Sequence, residues 1–121
     1  MSRILAIEDD AGIGAVLRRG LALAGHEVSV APDGTAGRRA WNTGKWDLVL
    51  LDVMLPDADG LEILAEQRAR GDSTPVVLLT AREEVDLGGS SLAAGATDHL
   101  RKPFAYEDLL AHVDRHARRA G

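Results

Sequence analysis

The chain has 121 residues, a formal net charge of −5 and no cysteine. That length holds one domain with a real core, and the missing thiols exclude disulfides and thiolate chemistry. The acidic balance argues against this segment itself gripping nucleic acid, and no apolar stretch approaches the ~18 residues of a membrane span, so no membrane partner is expected.

The first predicted strand, 3–8, begins almost at the N-terminus. No signal peptide is therefore expected, and the expected location is the cytoplasm. The strand runs into Glu8-Asp9-Asp10. The first predicted helix, 11–24, carries Ile13, Val16, Leu17, Leu21 and Ala24 on one stripe. Gly25-His26 punctuates its end. A strand at 27–31 and a helix at 34–44 follow. The run 47–52 places four apolar residues between Asp47 and Asp52, the pattern of a strand buried on both faces. Next come a helix at 60–70, the turn residues Gly71-Asp72-Ser73, and a strand at 75–80 that Pro75 can open. A fourth helix is predicted at 84–94, a strand at 97–101 and a last helix at 105–119. Tyr106, Leu109, Leu110, Val113 and Ala117 form the apolar stripe of that last helix. Regular alternation means parallel strands with right-handed crossovers. The fold class is α/β, and five strands suggest a flavodoxin-like (βα)5 sheet in the order 2-1-3-4-5.

A strand buried on both faces should not end on a carboxylate unless its tip is a wet, polar site. Strand 3 ends on Asp52, strand 1 on Glu8-Asp9 and strand 4 on Thr80, and strand 5 leads to Lys102-Pro103. In a parallel sheet these tips share one edge, the usual place for a ligand, and strands 1 and 3 are neighbours there. Three carboxylates that close cannot all stay ionised unaided. Either one keeps a proton or a cation joins them. An all-oxygen site with open water positions suits Mg²⁺. Adding the Lys102 ammonium and the Thr80 hydroxyl describes a phosphoryl-transfer site, where electrostatics carries most of the load. Asp52 is the candidate nucleophile.

Blander readings compete residue by residue. Asp10 reads as a helix N-cap. Glu8 and Asp9 could merely meet a helix dipole, but Asp52 arrives from a separate strand. Thr80 alone is an ordinary strand-end residue, and Lys102 alone a surface lysine. His99 is more often a half-buried strand histidine than a ligand. Arg115, His116, Arg118 and Arg119 read as a solvated helix end favoured by the dipole.

Several stretches together resemble the receiver domain of two-component response regulators, across essentially all of residues 1–121. They are Ile4-Leu5-Ala6-Ile7-Glu8-Asp9-Asp10, Leu50-Leu51-Asp52-Val53-Met54-Leu55-Pro56, Asp59-Gly60, Leu79-Thr80-Ala81-Arg82, Ala94-Gly95-Ala96 and Lys102-Pro103-Phe104. The resemblance implies a switch rather than an enzyme. Asp52 would accept a phosphoryl group from a sensor histidine kinase. Mg²⁺ would be held by Asp9, Asp52 and the main-chain carbonyl of Met54, with Glu8 acting through water. Lys102, Thr80 and backbone amides, that of Ala81 among them, would cradle the new oxygens. The His99 ring stands where the family usually has a tyrosine or phenylalanine, and would follow Thr80. The Lys102-Pro103 bond would be cis. The responding face would be the predicted helix 84–94, the last strand and the last helix.

The Met-Leu-Pro and Thr-Ala-Arg triplets look most like the subfamily with a C-terminal winged-helix DNA-binding domain. DNA contact would then come only through an output domain absent from this chain. Arg118-Arg119-Ala120-Gly121 ends where a linker would begin, as in an excised N-terminal half. Two departures fall on the usual dimerisation face. Leu87-Gly88 replaces an Asp-Arg pair, and His112 replaces an arginine. Adjacent Gly88 and Gly89 cost a helix roughly 2 kcal/mol, so 84–94 should be the least stable element. A homodimer on phosphorylation is accordingly expected to be weak or atypical. Rival readings are a degenerate receiver that only binds partners, an aspartyl-phosphate hydrolase of the haloacid-dehalogenase type and an FMN-binding flavodoxin. The hydrolase needs an acid where Met54 stands. The flavodoxin needs a phosphate loop where this chain has acids.

Overall fold

In a computed structural model, residues 2–81 and 95–117 are described. They form β1 (Arg3–Ile7), α1 (Ala11–Leu23), β2 (Glu27–Ala31), α2 (Gly34–Thr43), β3 (Leu48–Asp52), α3 (Gly60–Ala69), β4 (Val76–Thr80), β5 (Asp98–Arg101) and the C-terminal helix α4 (Tyr106–His116). The predicted helix 84–94, with its glycine pair, lies outside the described residues. All five strands are parallel, in the expected order β2-β1-β3-β4-β5.

The two-residue period of a strand sends alternate side chains to opposite faces. Leu5, Ile7, Val49, Leu51, Val76 and Leu78 meet Trp41 of α2 and Ile63 and Leu64 of α3. Ile4, Ala6, Leu48, Leu50, Val77 and Leu79 meet Leu17 and Leu21 of α1 and Leu109 and Val113 of α4. Each fully buried leucine stabilises the fold by roughly 1.5–3 kcal/mol. These two cores fix the strands, and so fix the tips. Among the described residues no helix is long and apolar enough to cross a membrane.

Three aspartates start three helices. Asp10, Asp33 and Asp59 accept the amide hydrogens of Ile13, Ala36 and Leu61 at 2.9, 2.7 and 2.8 Å, which satisfies donors that a helix start leaves bare. The capping role read for Asp10 is therefore observed. α4 has no side-chain cap, but Glu107 and Asp108 in its first turn and Arg115 and His116 in its last suit the dipole. Gly25 and Gly71 take φ of +93° and +84° just after α1 and α3, the left-handed turn that glycine adopts without strain.

The helix stripes differ from expectation. Val16 of α1 is 54% exposed, and Ala24 is exposed as well. Gly14 and Gly20 are buried instead. A Cβ at Gly14 would press on Val30, and one at Gly20 on the Tyr106 ring. The buried stripe of α1 thus runs through Gly14, Leu17, Gly20 and Leu21 and leaves Val16 at its edge. Tyr106 is not a core residue but lies 39% exposed across α1, its hydroxyl donating to the Gly20 carbonyl at 2.6 Å. β1 stops at Ile7, leaving Glu8 just past it, and α4 ends at His116 rather than 119.

Candidate functional site

The parallel sheet brings the predicted residues to one edge. β1 leads to Glu8 and Asp9, β3 ends on Asp52, β4 ends on Thr80, and β5 leads to Lys102. Carboxylate oxygens of Glu8, Asp9 and Asp52 all lie within 4.8 Å of one another. Lys102 Nζ is 2.5 Å from Glu8 Oε1 and 3.3 Å from Asp52 Oδ2. The Lys102-Pro103 peptide is cis, as the resemblance implied. Glu8 and Asp52 are buried, at 2% and 4% exposure, whereas Asp9 is exposed. The Met54 amide donates to Asp52 Oδ1 at 3.1 Å, and the Asp10 amide to Glu8 Oε2 at 3.2 Å.

Burial makes this charge arrangement costly. It pushes the Asp52 carboxyl up to about 7, helped by hydrogen bonding to Glu8 and Asp9 and by the Glu8 charge, and opposed by Lys102. Asp9 moves the other way, because its hydrogen bond with Asp52 holds it below the usual carboxylate range. Between these two acids, it is Asp52 that burial drives toward its protonated form. Burial pulls Lys102 down, but the hydrogen bond to Glu8 and the charges of Asp52 and Glu8 outweigh it and leave the ammonium favoured. One ammonium offsets only one of the three carboxylates. Hard oxygen donors, an exposed member at Asp9 and an acid driven to hold a proton fit a small divalent cation such as Mg²⁺.

Thr80 is buried at the tip of β4, and its carbonyl accepts the Lys102 amide at 2.8 Å. Ala81 follows it, exposed. Met54 lies 66% exposed just past Asp52. His99 is half-buried on β5, opposite Leu78, while Thr80 is opposite Arg101. Strand alternation therefore puts Thr80 and His99 on the same face, with His99 two positions back from the rim. Beside Lys102 a groove of about 220 Å³ opens, lined by Gly12, Ile13, Val16, Pro103 and Phe104.

Two supporting residues escaped the sequence argument. Gly60, buried at the start of α3, lies so close that a Cβ would overlap the Asp52 carbonyl oxygen. Asp59-Gly60 stood out as a motif, but nothing in it told of this contact. Asp57 accepts the Gly34 amide, the Thr35 amide and the Thr35 hydroxyl at 2.7, 3.0 and 2.9 Å. These bonds, the Gly34 one foremost, hold its carboxyl below the usual range. It ties the loop after β3 to the start of α2. Partners that distant in sequence leave no local signal.

The profile of the response regulator receiver domain matches residues 4–114. Response regulator MprA of Mycobacterium leprae is 43% identical over 111 residues, which are 92% of this chain and 49% of that protein. MprA of Mycobacterium ulcerans is 42% identical over the same length, 92% of this chain and 48% of its own. The chain spans about half the length of the curated relatives it matches. Among solved structures, the Francisella response regulator 1452 receiver domain superposes with a TM-score of 0.90 at 29% identity, covering 95% of each chain. Response regulator TrrA of Thermotoga maritima, solved in complex with Mg(2+)-BeF, gives 0.85 at 31% identity, covering 95% of this chain and 98% of its own. With a family match over nearly its whole length, the chain belongs to the response regulator receiver domains of two-component systems.

Proposed function

We propose that the chain is a cytoplasmic phosphoacceptor switch that takes a phosphoryl group on Asp52 from a sensor histidine kinase. The observation that carries this reading is Asp52 itself. It is buried at a strand tip, 3.3 Å from the Lys102 ammonium and clustered with two further acids. A structural carboxylate would not be kept in such a place, because burial disfavours its charge.

Asp9, Asp52 and the Met54 carbonyl would hold Mg²⁺, with Glu8 acting through water and through Lys102. Bound there, the ion supplies positive charge that offsets the acids and the incoming phosphoryl oxygens. An Asp52 oxygen attacks phosphorus, the P–N bond of phosphohistidine breaks, and its electron pair leaves with the imidazole. Lys102, the Thr80 hydroxyl and backbone amides such as that of Ala81 receive the new oxygens. The modification adds about −1.5 to −2 charge near neutral pH. Thr80 then moves toward it and the His99 ring follows on the same face, altering the surface of β5 and α4. The apolar groove beside Lys102 leaves room for the donor to approach. Output to DNA would belong to a winged-helix domain in the part of the relatives that this chain does not span. The hydrolase alternative lacks support, since the exposed Met54 occupies the place of its second acid.

Incubation with acetyl phosphate and Mg²⁺, followed by mass spectrometry, tests the reading. One acid-, base- and hydroxylamine-labile phosphoryl group is expected, and Asp52→Asn should abolish it. Phosphate persisting on that variant would overturn the assignment.

A further inference from the structure

Opposite the acid edge, the end of α4 meets the start of β5. Asp98 Oδ2 lies 2.8 Å from His116 Nε2, 3.7 Å from His112 Nε2 and 3.9 Å from an Arg115 guanidinium nitrogen. Its other oxygen accepts the His99 amide at 2.8 Å. Both histidine side chains are largely covered, at 20% and 17% exposure, while Arg115 is 64% exposed. Three basic side chains of α4 and the His99 amide thus converge on Asp98. β4 sets the apolar Val77 opposite it, and the His99 ring points to the other face of the sheet. Burial raises the Asp98 carboxyl, but the hydrogen bonds from His116 and the His99 amide and the charges of His112 and His116 outweigh it and hold it below its usual range.

His112 is the discriminating member. Its Nδ1 lies 2.7 Å from the Asp108 carbonyl oxygen. A carbonyl only accepts, so Nδ1 carries the hydrogen. A neutral His112 then turns the lone pair of Nε2 toward the Asp98 carboxylate, acceptor against acceptor. Only the imidazolium can donate to the carbonyl and also present positive charge to the carboxylate at 3.7 Å. His116 has no such conflict, because neutral or charged it can donate from Nε2. The two rings lie 6.5 Å apart, tilted by 52°, so the carboxylate between them also limits their mutual repulsion when both are charged.

We propose that Asp98, His112 and His116 form a proton-operated clasp between β5 and α4, closed when His112 is protonated and loosened when it is neutral. Histidine is the side chain suited to such a proton-dependent contact. Through the His99 amide the clasp reaches the strand that leads to Lys102. It goes beyond the phosphoacceptor reading and does not depend on it.

Long-range proton–nitrogen NMR spectra of the full chain, recorded from pH 5 to 8.5, report the tautomers directly. Neutral His112 should carry its hydrogen on Nδ1. Amide exchange across 109–116, corrected for intrinsic rate and referred to β3 amides, should lose roughly tenfold protection over the same range, the effect of one proton coupled over about one pH unit. His112→Gln should flatten that profile. His116→Ala should lower protection at every pH and keep the slope. Neutral His112 found with its hydrogen on Nε2, a flat wild-type profile, or an unchanged slope in His112→Gln would each overturn the clasp.

Discussion

Replacing Asp52 by asparagine should stabilise the metal-free protein, and increasingly so as pH rises. The carboxyl titrates at 3.8 in an open chain and is pushed up to about 7 in the fold. A folded value above the unfolded one means that the native state binds the proton more tightly. The resulting stability is fully present below the unfolded value and is lost as pH climbs from about 4 through 7. The whole shift corresponds to roughly 4 kcal/mol, and the part falling between pH 5 and 8 to about 2–3 kcal/mol. Asp9 shares the proton and moves in the opposite direction, which reduces the realised difference to about 2 kcal/mol. Asparagine carries no charge to bury, so its curve lacks this component. Urea unfolding of both proteins at pH 5 and pH 8, in chelator, measures the gap. It should widen at pH 8 and shrink again when Mg²⁺ is added, because the ion binds only the native wild type well; tenfold excess over its Kd returns about 1.4 kcal/mol. A gap that is independent of pH, or a variant less stable than wild type at pH 8, would refute the electrostatic account of this site.

Mg²⁺ affinity, followed by calorimetric titration, should fall about tenfold per pH unit below 7 as the ion competes with the Asp52 proton, and Asp9→Ala should abolish binding in the millimolar range. Lys102→Ala should slow phosphorylation by acetyl phosphate at least about tenfold, since it removes one preorganised charge at the developing oxygens; a wild-type rate would leave Lys102 a purely structural partner of Glu8. Gly60→Ala should cost about 2 kcal/mol or more in urea unfolding, because the new methyl overlaps the Asp52 carbonyl oxygen and helix α3 must shift. By sedimentation velocity at micromolar protein the unphosphorylated chain should be monomeric, and with beryllofluoride it should dimerise weakly, since Leu87-Gly88 and His112 replace charges that would set the register of a pair; a tight dimer in both states would contradict that expectation.

The topology was legible because the central strands β1, β3 and β4 report their burial, and the half-exposed β2 and β5 read as edges. Four apolar residues between Asp47 and Asp52 admit a central parallel strand and little else, and β4 reads the same way. The site was legible because its members sit where such strands must end. What stayed hidden depends on contacts that composition does not encode. Hydropathy placed Val16 in the core, yet the decisive positions on α1 are Gly14 and Gly20, whose lack of a side chain carries no hydropathy signal. Asp57 and Asp98 were invisible for another reason. Each gathers partners from a different element, Gly34 and Thr35 for one and His112 and His116 for the other.

Which acid burial drives toward its protonated form was also beyond the sequence, and the answer bears on mechanism. Glu8 and Asp52 are both buried, but Lys102 lies nearer to Glu8, at 2.5 Å against 3.3 Å. Glu8 thereby takes the larger share of the one cation. Asp9 avoids the cost through exposure. Asp52 is left as the buried acid least compensated by the protein's own charges, and therefore the one that gains most from an added cation. In the phosphoacceptor reading, a divalent ion held there would favour its ionised form and would supply positive charge to offset the phosphoryl oxygens. On the same reading, the imbalance that raises the basicity of Asp52 would also tie its nucleophilicity to the metal. Restoring balance within the chain, for example by Met54→Lys, should lower the dependence of Asp52 ionisation on Mg²⁺. Carbon-detected NMR of the Asp52 carboxyl, titrated with and without the ion, would show it; an unaltered titration in the variant would place the cause in burial alone.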